Sequence, residues 1–191
     1  MKNTVVCIFA YNRISGLKNL IKDIKKNQNY KSYDYYFFID YPKQKENLSK
    51  YRKICKTIEN FSNFAKIKII KRKKNYGLNK NILSGINFVK KKYEKFIILE
   101  DDLRISKSYL YYMQILLDKY KNHEKIYTIT GYNFPKKIFN LNLKNFSNYL
   151  TKRPNSWAWG SWSKKWSKVS FDDKIFKEIY LSKTKIKIIS K

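Results

Sequence analysis

Acidic residues, cysteine and histidine are all scarce in this 191-residue chain. Only 14 Asp and Glu stand against 43 Lys and Arg, for a formal charge of +29. The two cysteines, Cys7 and Cys55, sit in apolar patterns and read as buried, reduced thiols of a cytosolic protein, not as a disulfide framework. The single histidine, His123, lies between charged residues after a helical stretch and is assigned no role. No run approaches the roughly 20 apolar residues of a membrane span. The apolar stretch Val5 to Ala10 is too short for a secretory signal and reads as a first strand. There is no internal repeat. Apolar residues at 43% and aromatics at 17% exclude a disordered chain despite 30% charge. The length suits one domain with a real core and at most a small appendage.

A charge of this size invites a nucleic-acid reading. Nearly all of it is Lys, however, spread along the chain and accompanied by abundant Asn, Ile and Tyr. That mixture points to compositional bias and solvated faces, and nucleic acid is not expected as a partner. The second use for the charge is a basic surface for anionic lipid headgroups or substrate phosphates.

Apolar strands and amphipathic helices alternate from the start. Val5 to Phe9, Tyr35 to Ile39, Ile67 to Ile70, Phe96 to Leu99 and Ile126 to Thr130 read as strands. Between them, Leu17, Leu20, Ile21 and Ile24 recur at helical spacing behind a cap at Ser15. Leu48, Tyr51, Ile54, Cys55, Ile58 and Phe61 trace a second helix. Ile82, Gly85, Ile86 and Val89 belong to a third, and a fourth, from Tyr109 to Tyr120, is capped by Ser106. Strands without polar alternation, separated by helices, predict an α/β fold with a mostly parallel sheet covered on both faces. Ligands of such sheets bind beyond the carboxyl ends of the strands. Asn12-Arg13, Asp40 and Glu100-Asp101-Asp102 all fall on that edge.

The most informative run is Phe96-Ile97-Ile98-Leu99-Glu100-Asp101-Asp102, a buried strand ending in three carboxylates. Three acids together in a basic protein form a local anionic pocket that costs repulsion unless a cation neutralises it. Oxygen-only ligands suit Mg2+ or Mn2+, and such an ion suits a diphosphate. The plainer reading is acid at the positive end of a helix, which the better cap at Ser106 disfavours. Arg13 is either part of a solvated turn or a planar fork for phosphate or base, a task Lys does not perform. Asp40 either opens the turn before Pro42 or accepts hydrogen bonds from a base or ribose. Asn75-Tyr76-Gly77-Leu78-Asn79 is a turn in which Asn79 caps the third helix, facing the ligand edge. All four tryptophans lie between Trp157 and Trp166. They read either as core or, through Trp157, Trp159 and Trp162, as a platform for a donor or acceptor sugar.

Taken in order, Phe9-Ala10-Tyr11-Asn12-Arg13, Ile39-Asp40, Asn75-Tyr76-Gly77-Leu78, Ile98-Leu99-Glu100-Asp101-Asp102, Thr130-Gly131-Tyr132 and the Trp157 to Trp166 segment resemble the GT-A (Rossmann-like) nucleotide-sugar glycosyltransferases. The similarity is to bacterial family 2-like enzymes and to the N-acetylglucosaminyltransferase I group, and it extends to about residue 170. The resemblance implies that Ala10, Arg13, Asp40, Asn79 and Asp101 contact the nucleotide sugar and that Asp102 holds Mn2+ or Mg2+. It implies a nucleotide-sugar-binding half over 1–131, and over 132–191 the start of an acceptor-binding half that breaks off early. The partners it implies are a nucleoside-diphosphate sugar, UDP-sugar first, and a glycan or lipid-linked acceptor, met in the cytoplasm or peripherally at the inner membrane.

In that family a downstream Asp or Glu deprotonates the acceptor. Only Asp172 and Asp173 stand near the expected place, so the base is not assigned and a truncated, inactive remnant is the alternative. Two rivals are weaker. A nucleotidyltransferase needs a glycine-rich loop after the first strand, and Phe9 to Arg13 has no glycine. A basic nucleic-acid- or membrane-binding module would leave the ordered motif set unexplained.

Overall fold

A computed structural model describes residues 2–132, 148–152 and 154–169. In chain order its elements are β1 (Lys2–Ala10), α1 (Ile14–Lys25), β2 (Asp34–Ile39), α2 (Leu48–Phe61), β3 (Lys66–Lys71), α3 (Leu78–Val89), β4 (Tyr93–Glu100), α4 (Tyr109–Lys119), β5 (Ile129–Thr130), β6 (Trp159–Trp162) and α5 (Ser163–Trp166). The six strands form one sheet in the order β3-β2-β1-β4-β6-β5. The first four in that order run parallel, and β6 is antiparallel to both β4 and β5.

Alternation along β1 explains the two layers. Val6, Ile8 and Ala10 face a core shared with α1, α2 and α4. Val5, Cys7 and Phe9 face a second core with Ile86 and Val89 of α3, Trp159 and, at its margin, Trp166. Both faces are covered, so the central strands carry unbroken apolar runs at Val5 to Ala10, Tyr35 to Ile39 and Phe96 to Leu99. Only the edge strand β3 alternates, and its exposed Lys66, Lys68 and Lys71 discourage pairing with another chain. Gly85 lets α3 lie on the sheet: a Cβ there would stand 2.7 Å from the Phe9 ring, which stacks on Phe38 at 5.0 Å.

The first four strands and the four helices fall where the hydrophobic periods place them, but the strand expected over Ile126 to Thr130 is reduced to Ile129–Thr130, and the helix starts differ. Helix α1 begins at Ile14 with Arg13 in the cap position, so Ser15 lies inside the first turn. Helix α4 begins at Tyr109 after Ser108, so Ser106 is not its cap. Helix α3 follows Gly77, whose φ of +72° turns the chain into the helix, so Asn79 is not a cap either. None of these helices has a side-chain cap from its own cap residue.

The tryptophan segment differs most from expectation. Its middle is strand β6, inserted between β4 and β5, so residues of the 132–191 part complete the sheet of the 1–131 part. Trp162 is 3% exposed and donates its indole N–H to the Leu117 carbonyl at 2.8 Å. Trp159 is 8% exposed and packs its ring against Phe96 and Trp166, with centroids at 6.0 and 5.2 Å. Neither ring face is open to a sugar, which removes both residues from the platform. Trp157 is 52% exposed. The cause is Ala158, whose φ of +48° breaks the strand period and turns Trp157 away from the side that buries Trp159.

Candidate active site

Three strand ends and one loop enclose a cavity of about 310 Å³ at the carboxyl edge of the sheet. From the end of β1 come Ala10, Tyr11, Asn12 and Arg13; from β2, Asp40; from β4, Glu100 and Asp101; from the loop into α3, Asn75, Gly77, Leu78 and Asn81. On the other side of Arg13 a shallower hollow of about 600 Å³ is lined by Asn12, Arg13, Lys18, Lys50 and Asp102.

The three acids do not converge. Asp101 turns inward: it is 5% exposed and its carboxylate accepts the Tyr11 backbone N–H at 2.9 Å. Burial pushes its pKa above the ordinary carboxylate value, against the pull of that N–H and of Arg13. Glu100 is shifted the same way, by burial and then by its two acidic neighbours. Asp102 turns outward, half-exposed, and forms an ion pair with Arg13. Arg13 therefore neutralises Asp102, where a single anionic pocket was expected. Among the described residues no group of three His, Cys, Asp or Glu could hold a metal ion. What is left fits a cation that arrives with its substrate. Mg2+-type ions take one or two protein carboxylates and complete their shell with phosphate oxygens and water. Asp102 is one such carboxylate, in the hollow across Arg13 from the cavity.

Asp40 is 4% exposed and fully engaged. One oxygen accepts the N–H groups of Tyr41 and Tyr76 at 2.9 and 2.8 Å, and the other accepts that of Gly77 at 2.9 Å. It therefore shapes the loop that walls the cavity. Asn75 fastens the same loop by donating to the Tyr41 carbonyl at 2.6 Å. Ala10 ends β1 at the cavity floor, where its carbonyl accepts the Asp40 N–H at 2.9 Å. Of the residues expected to contact the nucleotide, Asn79 is the one that the structure does not bring to the cavity: it is exposed in the first turn of α3 and lines neither hollow. The buried Asn81, two residues on, takes that wall, held by Arg72 Nε at 2.8 Å. Its signal was legible as a polar residue four positions before Gly85 on the apolar stripe of α3. Lys43 also lines the cavity, its backbone N–H bonded to the Tyr11 hydroxyl at 3.2 Å, and nothing in the sequence marked it.

Trp157 lies at the same edge. The antiparallel register of β4 with β6 sets Trp159 opposite Ile98, so the chain entering β6 passes the acidic end of β4. The Trp157 ring meets that of Tyr132 at 4.8 Å, close to perpendicular. Thr130 Oγ1 donates to the Trp157 carbonyl at 2.9 Å and anchors the kink. Asp172 and Asp173 lie outside the described residues.

The sequence profile of glycosyl transferase family 2 matches residues 5–179. The chain belongs to glycosyl transferase family 2. Solved structures show that this family 2 member has the GT-A fold. TarS of S. aureus, residues 1–349, superposes with a TM-score of 0.55 at 16% identity, over 74% of this chain and 40% of that one. Mannosyltransferase PcManGT from Pyrobaculum calidifontis gives 0.51 at 12% identity, over 72% and 37%. Glucosyl-3-phosphoglycerate synthase from Mycobacterium tuberculosis gives 0.52 at 8% identity, over 85% and 57%. The family 2 chain thus spans little more than half of the longest-matched of these structures. No curated protein matches it. Among the described residues no helix is long and apolar enough to cross a membrane.

Proposed function

We propose that this chain carries the donor-binding part of a metal-assisted, inverting glycosyltransferase that moves a sugar from a nucleoside-diphosphate sugar to a hydroxyl of a bacterial surface glycan. One observation carries the reading: Arg13, Asp40, the 75–81 segment and the acidic tip of β4 surround one cavity of a size suited to a small ligand. PcManGT was solved with GDP-Man and Mn2+, and the mycobacterial synthase with Mn2+, UDP and its phosphoglycerate product, which supports a sugar nucleotide and a divalent ion here.

The roles follow from what each side chain has free. Asp40 and Asn75 hold the loop against which the nucleoside would lie. Arg13 exchanges Asp102 for a phosphate group, its guanidinium suited to two oxygens at once. Asp102, once released, holds Mg2+ or Mn2+. When bound, that ion supplies charge neutralisation for the departing nucleoside diphosphate. Trp157, with Tyr132 beside it, offers the flat apolar face that stacks on a sugar ring. Residues 132–191 then begin the acceptor side, where the base would stand. The Lys-rich exterior favours a peripheral approach to anionic lipid at the cytoplasmic face of the inner membrane, where a lipid-linked acceptor would be met.

The test is calorimetry of UDP-sugar with and without Mn2+. Asp102→Ala should abolish the Mn2+-dependent part of the affinity and leave the melting temperature within a few degrees, since the side chain is half-exposed. Unchanged binding in the variant would remove the metal from the reading.

A further inference from the structure

Helix α1 carries polar groups on a face where only core residues were expected. Asp23 and Asn27 are 3% and 2% exposed, beside the core residues Leu17, Leu20, Ile21 and Ile24. Gly16, Leu20 and Asp23 fall within about 60° of one another around the helix, and Asn27 lies just past its C-terminal end. Gly16, Asp23 and Asn27 each touch the segment that leaves β4. A Cβ on Gly16 would stand 2.5 Å from the Asp101 carbonyl oxygen and 3.2 Å from the Asp102 Cα. Asp23 receives both arms of Arg104, at 2.5 and 3.1 Å. Asn27 donates to the Ser106 carbonyl at 3.1 Å and accepts the Leu110 N–H at 2.9 Å, supplying from α1 the cap that α4 lacks. The chain from 101 to 110 is thus laid along α1 in step, contact by contact.

We propose that this stripe of α1, with Arg104, positions the acidic tip: Gly16, Asp23 and Asn27 set where Asp101 and Asp102 stand relative to the nucleotide cavity. The proposal deepens the donor-binding reading and rests on it for its consequence, though not for its geometry. Gly16 fixes how close the tip approaches, because any side chain there would push the Asp101–Asp102 backbone away. Asp23 and Asn27 fix the register, because a slip of one residue costs the buried carboxylate its Arg104 fork, leaving it Lys26. The same slip costs the buried amide its bonds to Ser106 and Leu110, leaving it the Asp23 carbonyl. Neither residue reaches the cavity, so their action on any ligand passes through the acids.

The test uses the whole chain, with Arg104→Gln and Gly16→Ala. Arg104 is largely exposed, so its loss removes the clamp without opening the core. Asp118→Asn, which breaks the buried Lys95 ion pair on α4, controls for lost stability elsewhere in the same layer. The first readout needs no ligand. The Tyr11 amide proton is bonded to the Asp101 carboxylate, so its NMR shift and hydrogen-exchange rate report the place of the tip. Both should change in the two stripe variants and stay constant in Asp118→Asn. The second readout is the factor by which Mn2+ strengthens UDP binding. That factor should fall about tenfold or more, as for lost outer-shell partners of metal ligands, while metal-free UDP affinity stays within about twofold. An unmoved Tyr11 amide overturns the proposal. So does an equal change in Asp118→Asn. A moved amide in a protein whose UDP binding never responds to Mn2+ leaves the positioning intact and sinks the metal reading instead.

Discussion

Three tryptophans within six residues meet three environments, and backbone angle decides which. Trp162 and Trp159 occupy β6 and point to opposite layers, one against α4 and the other against Phe96. Trp157 would share the side of Trp159 if the strand period continued, since they are two residues apart. The left-handed turn at Ala158 cancels that, at a cost of about 1–2 kcal/mol for a non-glycine residue. The Thr130 hydroxyl and the Gly131 N–H, bonded to the carbonyls of Trp157 and Ala158, hold the turn in place. The expected outcome is a clean division. Trp162→Ala should cost about 3–5 kcal/mol in urea unfolding, the range for large buried aromatics. Trp157→Ala should stay within about 0.5 kcal/mol of the native protein, as exposed substitutions do. Its effect belongs to binding: affinity for UDP-sugar should drop while affinity for UDP alone holds, measured by calorimetry. Equal losses for both ligands would deny Trp157 a part in sugar contact.

Among the elements, α1 links stability to pH. The Asp23 carboxyl is held below its usual pKa chiefly by hydrogen bonding to Arg104, with Lys26 adding at 3.5 Å and burial opposing. A group whose folded pKa is lowered binds fewer protons folded than unfolded. Its stabilisation is therefore complete above the ordinary carboxylate pKa and disappears as pH falls through the folded value. Urea midpoints should accordingly slope downward below about pH 4, and Asp23→Asn should flatten that limb while lowering the neutral plateau. A slope of equal steepness in the variant would assign it to other acids.

The same helix shows what a single sequence conveys. Its core stripe is written in Leu17, Leu20, Ile21 and Ile24, because burial repeats with the helical period. The polar partners of Asp23 and Asn27 are not, because Arg104, Ser106 and Leu110 come from a segment about 80 positions away, and local spacing carries no trace of that contact. The convergence of Arg13, Asp40 and Asp101 was legible for the converse reason: parallel topology sends every strand end to one edge. Helix starts failed where sequence offered a Ser or Asn but tertiary contacts or a positive φ at Gly77 set the boundary. The β6 insertion was hidden because four residues with three bulky or small neutral side chains show no period at all.

For the whole molecule, the excess of positive charge is the dominant long-range term. Arg13, Lys26, Lys71, Lys95 and Arg104 form ion pairs, but 43 Lys and Arg against 14 Asp and Glu leave most cations with no acid to meet. Self-repulsion of the remainder opposes the compact state and is screened by salt. Raising NaCl from roughly 20 to 300 mM should therefore raise the melting temperature. A fall would mean that attractive pairs outweigh the net charge.

The position of β6 has a consequence for assembly. Its partners in β4 are synthesised some sixty residues earlier, and among the described residues β5 has no other neighbour in the sheet. The far rim must wait for the returning chain to slot into a gap already framed on one side. Because every indole of the protein sits within that late segment, selectively excited tryptophan emission carries no signal from within β1, β2 and β3 and records the closing of the rim.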